Sequence, residues 1–215
     1  MTLSFVIPTY NHWELTHLLL LDIYNNCTKV DEVLVVDNGS DDEVQPTNLG
    51  WWLKHEMLPL RVETLEQNVG FIVASNIGLK QATGDVVALI SNDVRIHNDI
   101  GKELAILEEK VLVGGRVYTD TTGWNDFDGL IFPYVEGWIL ATRNWKELDY
   151  LDNRFAPNDY EDIDLSTKAV LLGYDLRELP FGMVEHLGAQ TIQYGAERQK
   201  ITETNREKFR SKWIK

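Results

Sequence analysis

Cysteine, basic side chains and long apolar runs are all scarce in this sequence of 215 residues. Cys27 is the only cysteine, which excludes an intramolecular disulfide and a zinc site built from cysteines. No apolar run reaches the roughly 18 residues that a membrane-spanning helix needs, and the first residues lack the basic start of a signal peptide. We therefore expect a cytoplasmic protein without a transmembrane segment, with peripheral attachment to a membrane as the alternative.

Positive charge is scarce relative to negative charge. The sequence has 20 lysines and arginines against 34 aspartates and glutamates, a net charge of −14 at pH 7. Such a charge repels nucleic acid and anionic surfaces unless basic groups cluster locally, and only the tail, residues 198–215, is basic. This balance argues against nucleic acid as a partner. Hydrophobic residues make up 44% of the sequence, which excludes a disordered or membrane-embedded chain.

The sequence does contain an alternation of strand and helix patterns. Short apolar runs rich in β-branched residues predict buried strands, and longer stretches between them predict helices. The predicted strands cover residues 3–7, 30–36, 60–65, 86–90 and 111–118, with a further apolar run at 135–142. The predicted helices cover residues 13–24, 44–56, 70–82, 99–110 and 196–213, with one more beginning near residue 159. This order predicts an α/β fold whose mostly parallel central sheet carries helices on both faces.

Polar residues follow two of the predicted strands at their carboxyl ends. Asp37 opens an acidic turn after the second strand, and Ser91, Asn92 and Asp93 follow the strand over residues 86–90. In an open α/β sheet, ligands bind in the crevice beyond the carboxyl ends of the strands. Asp93 is therefore predicted to lie where a metal–diphosphate group could bind. The alternative is that these residues only close their turns, as asparagine and aspartate often do.

Glu161 and Asp162 open the helix that begins near residue 159. The predicted core face of this helix contains Leu165, Ala169 and Leu172. At about 100° per residue, Glu161 lies roughly 40° and Asp162 roughly 60° from Leu165, on opposite sides. Asp164 lies roughly 100° from Leu165 on the same calculation. Two carboxylates thus border the buried face, and the helix dipole is expected to lower the pKa of Asp162. The alternative is that these acids only complement the positive end of the dipole.

Two further segments and one histidine stand outside this pattern. Residues 119–132 lack periodicity and are rich in turn residues, which predicts a functional or mobile loop. In the C-terminal helix, Phe209 and Trp213 are spaced so that both can dock on the domain. His186 stands alone near the end of an extended segment, where a histidine is more often structural than a ligand.

Several segments point together to one family. In chain order they are SFVIPTYN, VLVVDNGSDD, QNVGFIVASNIGLKQATGDVVALISND, YEDIDLSTKAVLLGY and MVEHLG. With these segments the chain resembles the inverting GT-A glycosyltransferases of family 2, over nearly its whole length. The resemblance implies a nucleoside-diphosphate sugar donor, with UDP- or dTDP-sugars favoured, and a Mn²⁺ or Mg²⁺ ion. It also implies a single displacement at the anomeric carbon by an acceptor hydroxyl. The acceptor itself stays open: a growing cell-surface polysaccharide, a lipid-linked sugar or a protein, with a modified DNA base disfavoured by the charge balance.

The resemblance implies a single GT-A domain over residues 1–215. Residues 1–95 form its nucleotide-sugar-binding half, residues 96–195 its acceptor and catalytic half, and residues 196–215 a C-terminal helix. In the first half, Asp37 resembles the aspartate that hydrogen-bonds the nucleobase. The other residues implied to contact the nucleotide or the donor are Pro8, Thr9, Tyr10, Asn68, Gly70 and Asn76.

The metal site follows from the same resemblance. Ser91–Asn92–Asp93 occupies the DxD position of the family, where Asp93 is the metal-binding carboxylate and Ser91 and Asn92 face the substrate. His186 matches a histidine that some members use as a further metal ligand. Ser91 departs from the family pattern, since many members have an aspartate there, and this departure puts the affinity for the metal in question.

The catalytic residues complete the implied site. Asp162 matches the catalytic base of the family's ED motif, and Glu161 is its companion. Trp124 and Trp138 are candidates on the acceptor side, because aromatic rings offer flat apolar faces to sugars. For Trp138 a plain core position is the alternative.

Other classes of function compete with this interpretation. A domain that binds nucleotide sugars or glycans without turnover remains an alternative, because the first acid of DxD is missing. A nucleotidyltransferase normally has a glycine-rich and basic loop after the first strand, and PTYNHW has neither feature. A dinucleotide-dependent dehydrogenase is disfavoured because no glycine cluster follows the first strand.

Overall fold

A computed structural model describes residues 1–41, 50, 52–188 and 195–214. The predicted helix over residues 44–56 falls largely outside these ranges, although residues 52–55 are helical and Trp52 is buried. Within the described ranges, no helix has both the length and the apolar character required to cross a bilayer.

The centre of the molecule is a seven-stranded sheet. Among the described residues, six short strands outside it form three separate two-stranded pairs. In chain order, the strands are β1 (Leu3–Thr9), β2 (Glu32–Asp37), β3 (Leu60–Thr64), β4 (Val86–Ile90), β5 (Val94–Ile96), β6 (Val111–Gly114), β7 (Val117–Tyr118), β8 (Asp126–Phe127), β9 (Leu130–Ile131), β10 (Tyr134–Val135), β11 (Ile139–Thr142), β12 (Asp175–Glu178) and β13 (Val184–His186). The sheet has the order β12-β6-β11-β4-β1-β2-β3, and only β11 runs antiparallel to its neighbours. The predicted mostly parallel sheet is confirmed.

Helices cover both faces of this sheet. They are α1 (Trp13–Asn26), α2 (Phe71–Gln81), α3 (Ile100–Leu104), α4 (Glu161–Leu171) and α5 (Ala196–Trp213), with a 3₁₀ turn at Asn153–Phe155. Successive side chains of a strand point to opposite faces. Phe5 and Ile7 accordingly belong to the apolar cluster that includes α1, whereas Val6 belongs to the cluster that includes α2, α4 and α5. A strand that is buried on both faces reads as a continuous apolar run, which is why β1, β2 and β4 were recognisable in the sequence.

Three predicted elements are shorter or more divided than expected. The helix predicted over residues 99–110 is only α3, which begins after Asp99, whose carboxylate accepts a hydrogen bond from the Lys102 amide. The strand predicted over residues 111–118 is interrupted at Gly115, whose amide donates to the Glu136 carbonyl. The predicted loop over residues 119–132 contains the β8–β9 hairpin. Strands of two residues are too short to produce a periodic pattern, so the sequence could not indicate them.

The surroundings of α4 correct two predictions about its faces. Leu172 was expected in the core, but the helix ends at Leu171 and Leu172 is 45% exposed. Asp164 was expected well away from the buried face, but it is fully buried. The reason is α5, from which the Trp213 indole and the Lys212 ammonium both reach the Asp164 carboxylate, at 2.7 and 2.6 Å. The predicted docking of Phe209 is confirmed, because its buried ring stacks on Phe127 at 5.0 Å.

Candidate active site at the carboxyl ends of the central strands

The carboxyl ends of β1, β2 and β4 lie at one edge of the sheet, because these strands are parallel neighbours. Thr9 and Asp37, the last residues of β1 and β2, are direct partners in the register. Asp37 is fully buried, and its carboxylate accepts a hydrogen bond of 3.0 Å from the Ser40 amide. Pro8 lies inside the buried strand β1, opposite Val36, so Tyr10 is the first residue beyond the sheet.

Two loops interlock beside Asp37. The Asn38 side chain accepts from the Val69 amide at 2.9 Å and donates to the Asn68 side chain at 3.0 Å. The same Asn68 oxygen accepts from the Gly70 amide at 2.9 Å. Gly39 has a φ of +71°, and a Cβ there would come within 2.4 Å of the Gln67 backbone. Asn68 and Gly70 are thus brought next to Asp37, and Asn38 is a member of this group that sequence reasoning missed.

Two of the predicted substrate-binding residues use their side chains inside the protein. The Asn92 amide donates to the Thr9 hydroxyl at 3.0 Å and to the Thr16 hydroxyl at 3.3 Å, and all three residues are buried. These bonds tie the end of β1 to α1 and to the turn after β4. The side chains of Thr9 and Asn92 therefore organise the edge of the sheet from within.

Asn76 has a similar internal role on α2. Its amide nitrogen donates to the Leu151 carbonyl and to the Asn153 side chain, at 2.7 and 2.9 Å. Its amide oxygen accepts from the Leu151 amide at 3.1 Å. The buried side chain thus joins α2 to the segment before α4, and none of these three hydrogen bonds reaches a residue at the strand ends.

Asp93 and His186 are brought together although they lie far apart in the sequence. Strand β5 follows Asp93 directly and pairs with β13, and this register places His186 opposite Val94. The His186 Nε2 atom lies 3.4 Å from a carboxylate oxygen of Asp93. Asp93 is 3% exposed, whereas the His186 side chain keeps 30% of its exposure. Among the described residues, no group of three or more histidine, cysteine, aspartate or glutamate side chains is placed to hold a metal.

The segment from Glu136 to Trp138 connects this pair with α4. The Ser91 amide donates to the Trp138 carbonyl at 2.9 Å, and the Trp138 ring stacks on His186 with centroids 5.4 Å apart. The Gly137 amide donates to the Asp162 carboxylate at 3.1 Å. A Cβ on Gly137 would approach the Asp162 Cβ to 3.0 Å, so glycine permits this close approach.

The Asp162 carboxylate has a raised pKa, which contradicts the predicted effect of the helix dipole. Burial among protein atoms raises the pKa of Asp162 to about 6. Hydrogen bonds from the Ile163 and Gly137 amides lower it, and the charge of Asp159 raises it further. Desolvation disfavours the charged form and here exceeds the stabilisation that a helix N-terminus supplies. The pKa of the Asp162 carboxylate therefore lies above the usual range of an aspartate, at about 6.

Glu161 differs from Asp162 in its contacts. It is 8% exposed, and its Oε2 atom has no hydrogen-bond partner among the described residues. Burial holds the pKa of Glu161 well above its usual range, and the adjacent charge of Asp162 raises it further. Two backbone amides stabilise the charged form of the Asp162 carboxylate, whereas the Glu161 Oε2 atom has no such donor among the described residues.

Helix α5 holds the turn that leads into α4. Asp159 and Tyr160 both have a positive φ, of 72° and 73°, which is unfavourable for residues other than glycine. Arg198 and Thr202 bind the Asp159 carboxylate at 3.0 and 2.6 Å. The buried amide of Asn205 donates to the backbone carbonyls of Phe155, Asn158 and Asp159. Sequence reasoning predicted that α5 docks but missed these polar contacts, because hydrophobic spacing carries no information about them.

The β8–β9 region is also brought to this turn. The Tyr160 hydroxyl donates to the Trp124 carbonyl at 3.2 Å, and Arg206 of α5 contacts the same hydroxyl at 3.0 Å. The Trp124 side chain is 53% exposed. The backbone of Trp124, a residue with an exposed side chain, is therefore tied to the turn that precedes Glu161 and Asp162.

The comparisons identify the family. The model of glycosyl transferase family 2 matches residues 4–161. The chain therefore belongs to this family. The match ends at Glu161, so it does not extend to Asp162 or His186.

Solved structures and a curated relative agree with this assignment. Mannosyltransferase PcManGT from Pyrobaculum calidifontis, in complex with GDP-Man and Mn²⁺, has a TM-score of 0.68 at 22% identity, over 88% of this chain and 58% of that one. S. aureus TarS 1–349 in complex with UDP-GlcNAc has a TM-score of 0.62 at 20% identity, over 100% and 76%. The uncharacterized glycosyltransferase YwdF of Bacillus subtilis is 32% identical over 93 residues, 43% of this chain and 33% of that protein.

These findings confirm the predicted GT-A fold and, at the level of the family, the prediction of a glycosyltransferase. The chain spans 20% to 43% of the length of the curated relatives that it matches. The reaction of this particular chain, its substrates and the roles of its residues are therefore matters for proposal.

Proposed function

We propose that this chain is a metal-dependent, inverting glycosyltransferase domain, which moves a sugar from a nucleoside-diphosphate sugar to an acceptor hydroxyl. One observation carries the proposal. The segment from Glu136 to Trp138 contacts both parts of the candidate site. The Trp138 ring stacks on His186, which lies beside Asp93, and the Gly137 amide donates to the base candidate Asp162. In this proposal, residues 1–95 bind the donor and residues 96–195 contribute the acceptor side and the base.

The residues at the metal position fit a divalent cation. A carboxylate and an imidazole suit Mn²⁺, and Mg²⁺ is usually held by one or two carboxylates together with water and substrate phosphates. Asp93 and His186 would hold the ion through a carboxylate oxygen and the Nε2 atom, which lie 3.4 Å apart, with diphosphate oxygens and water as its further ligands. When bound, the cation would neutralise the negative charge that develops on the diphosphate leaving group. Since the protein carries a net charge of −14, the bound diphosphate otherwise meets an unfavourable potential.

Asp162 is proposed as the general base. The acceptor hydroxyl is a poor nucleophile, so a carboxylate must take its proton as the new glycosidic bond forms. The proton moves from the hydroxyl oxygen to an Asp162 carboxylate oxygen, and the bond from the anomeric carbon to the leaving diphosphate breaks. Attack on the face opposite the leaving group inverts the configuration at that carbon. The Gly137 and Ile163 amides hold the carboxylate in place for this transfer.

The substrates are proposed at the level of chemical class. The two solved structures contain GDP-Man and UDP-GlcNAc, which supports a nucleoside-diphosphate sugar as donor. Among such donors we favour UDP- and dTDP-sugars. The acceptor is a hydroxyl-bearing glycan, lipid-linked sugar or related molecule, and the exposed Trp124 indole would offer it a flat apolar face.

The proposal is tested by measuring the release of nucleoside diphosphate from a panel of donors, with Mn²⁺, with Mg²⁺ and with a chelator. Thermal shift with the same panel reports binding through mass action, independently of turnover. Metal-dependent release with at least one donor supports a glycosyltransferase. Stabilisation by nucleotide sugars without any release, whatever acceptor is added, would favour a binding domain that has lost turnover; Ser91 in the DxD position favours this second candidate.

Asp37→Ala is expected to weaken the binding of UDP in the absence of metal. A hydrogen bond to a charged group contributes about 1.5–3 kcal/mol, which corresponds to roughly tenfold or more in affinity. Calorimetric titration with UDP and EDTA measures this change. Asp41→Ala is the matched control, because within the described residues the contact of Asp41 with the neighbouring loop is made by its backbone amide, which donates to the Asn11 side chain. Unchanged affinity in Asp37→Ala would mean that Asp37 only holds the turn through Ser40.

A further inference from the structure

Glu136 and Trp138 form a chain of contacts that ends at the proposed metal ligands. One Glu136 carboxylate oxygen accepts from the Trp138 indole nitrogen at 3.0 Å, and the other accepts from the Tyr118 hydroxyl at 3.1 Å. The Trp138 ring stacks on His186 with an interplanar angle of 13°. The Nε2 atom of His186 in turn lies 3.4 Å from Asp93.

The Trp138 ring has little freedom to move. It lies so close to Gly115 that a Cβ at that position would come within 2.0 Å of ring atoms. The indole nitrogen is tied to Glu136, and the Trp138 carbonyl is tied to the Ser91 amide. The backbone of Glu136 is itself fixed, since its amide donates to the Arg116 carbonyl and its carbonyl accepts from the Gly115 amide. The ring therefore presents a fixed surface to His186.

The ring orientation of His186 is not fixed by its own torsion preferences. The torsion that sets the plane of a histidine ring joins an sp³ and an sp² atom, and it has a broad distribution instead of three sharp wells. His186 is the last residue of a three-residue strand and its side chain keeps 30% exposure, so protein atoms enclose the imidazole only in part. A nearly parallel stack on a fixed indole restricts the plane of the imidazole, and this plane decides where Nε2 points.

We infer that Glu136 and Trp138 are positioning residues that hold the His186 imidazole so that Nε2 faces the metal position beside Asp93. The inference rests on the proposed function, from which it takes the metal. Side chains that orient a metal ligand commonly contribute about 10–100-fold to metal affinity. Here the orienting contact is the stack of the Trp138 ring on the His186 imidazole. The Glu136 carboxylate acts indirectly, through its hydrogen bond to the Trp138 indole.

The first test measures Mn²⁺ affinity by the electron paramagnetic resonance signal of free Mn²⁺, in the presence of UDP. Glu136→Ala is expected to weaken Mn²⁺ binding about 10-fold or more, whereas Glu136→Gln, which keeps an oxygen acceptor for the indole, retains most of the affinity. The binding of UDP without metal and the melting temperature are expected to stay close to wild type in both variants. Glu178→Gln removes a charge from the same region while its acceptor for the Val117 amide remains, and it serves as the control.

The second test asks whether Glu136 acts through Trp138. Trp138→Phe keeps a flat ring but has no indole nitrogen, so it is expected to lose about as much Mn²⁺ affinity as Glu136→Ala. If the two residues act in series, the double variant is no weaker than the weaker single variant. If the losses of Mn²⁺ affinity in the two single variants add up in the double variant, Glu136 does not act through Trp138, and the proposed order of action is overturned. Loss of metal-free UDP binding or of thermal stability in parallel with Mn²⁺ affinity would indicate a merely structural role and overturn the inference.

The outcomes separate this inference from the function on which it rests. If wild type binds Mn²⁺ in the presence of UDP and Glu136→Ala binds it equally well, the inference is overturned and the proposed metal site stands. If wild type does not bind Mn²⁺ in the presence of UDP, both the metal site and the inference are overturned.

Discussion

Asp162→Asn is expected to lower turnover by about 10²–10⁴-fold, the usual contribution of a general base. The substitution keeps the shape of the side chain and its position at the start of α4. It removes the carboxylate that accepts the proton, while the asparagine oxygen can still accept from the Gly137 amide. The affinities for donor and metal are therefore expected to remain at wild-type values. Initial rates of nucleoside diphosphate release, together with calorimetric titration with UDP and Mn²⁺, measure the two properties separately.

Glu161→Gln is the matched control for this prediction. Glu161 is adjacent, acidic and buried, but its pKa lies well above its usual range and no described residue hydrogen-bonds its Oε2 atom. The Glu161→Gln variant is expected to lose less turnover than the Asp162→Asn variant. If Glu161→Gln is the inactive variant and Asp162→Asn is active, the two roles are exchanged. If both variants keep full turnover, the ED motif only opens the helix and the base lies elsewhere.

The pH dependence of turnover follows from the raised pKa of Asp162. A general base acts in its ionised form, so kcat/KM is expected to rise about tenfold per pH unit below the pKa and to level off above it. Burial raises the pKa of Asp162 to about 6, so the rise should end near that pH and not near pH 4. Asp159 and Glu161 are the acidic groups beside Asp162 in the turn and helix, and ionised Asp159 contributes to the upward shift. A rate that is flat from pH 5 to pH 8 would contradict the assignment.

Asp93→Ala is expected to abolish the part of donor binding that depends on Mn²⁺. Asp93 is the only carboxylate in the Ser91–Asn92–Asp93 turn. Among the described residues, His186 is the candidate ligand beside it, and no third histidine, cysteine, aspartate or glutamate side chain joins the two. His186→Ala is expected to weaken Mn²⁺ binding less, because water can replace a single neutral ligand more easily than the one negative charge. Calorimetric titration with UDP, with and without Mn²⁺, measures both effects.

Asp85→Asn provides the control for Asp93→Ala. Asp85 precedes β4 at the opposite end of the strand that leads to Asp93, and its carboxylate binds the Thr2 amide at 2.9 Å. This substitution also removes one negative charge but is expected to leave Mn²⁺-dependent binding unchanged. Equal binding of Mn²⁺ and UDP by Asp93→Ala and wild type would remove the metal assignment.

The sheet and its helices were predictable because their signals are local. β1, β2 and β4 are buried on both faces, so their sequences are continuous apolar runs bounded by polar turns. The rule that parallel strands present their carboxyl ends at one edge then placed Asp37 and Asp93 at that edge. In the same way, the spacing of Phe209 and Trp213 predicted that the last helix docks on the domain.

The direction of individual polar side chains was not predictable in this way. Asn92 and Asn76 lie in the segments that resemble the family, yet both turn inward to bond Thr9, Thr16 and the backbone at Leu151. Whether an amide faces a ligand or the interior depends on which partners other segments bring to it. Those partners lie up to 83 residues away in the sequence.

The sequence by itself determined the fold class, the edge of the sheet at which the candidate site lies, and the candidates Asp93, Glu161, Asp162 and, through the family resemblance, His186. Only the tertiary structure decided that His186 lies beside Asp93, through the pairing of the short strands β5 and β13. Only the tertiary structure decided that Asp162 has a raised pKa and that Asp164 is buried under α5. The physical reason is that hydrophobic periodicity reports the burial of a face, whereas desolvation and hydrogen bonding depend on which distant segments cover that face.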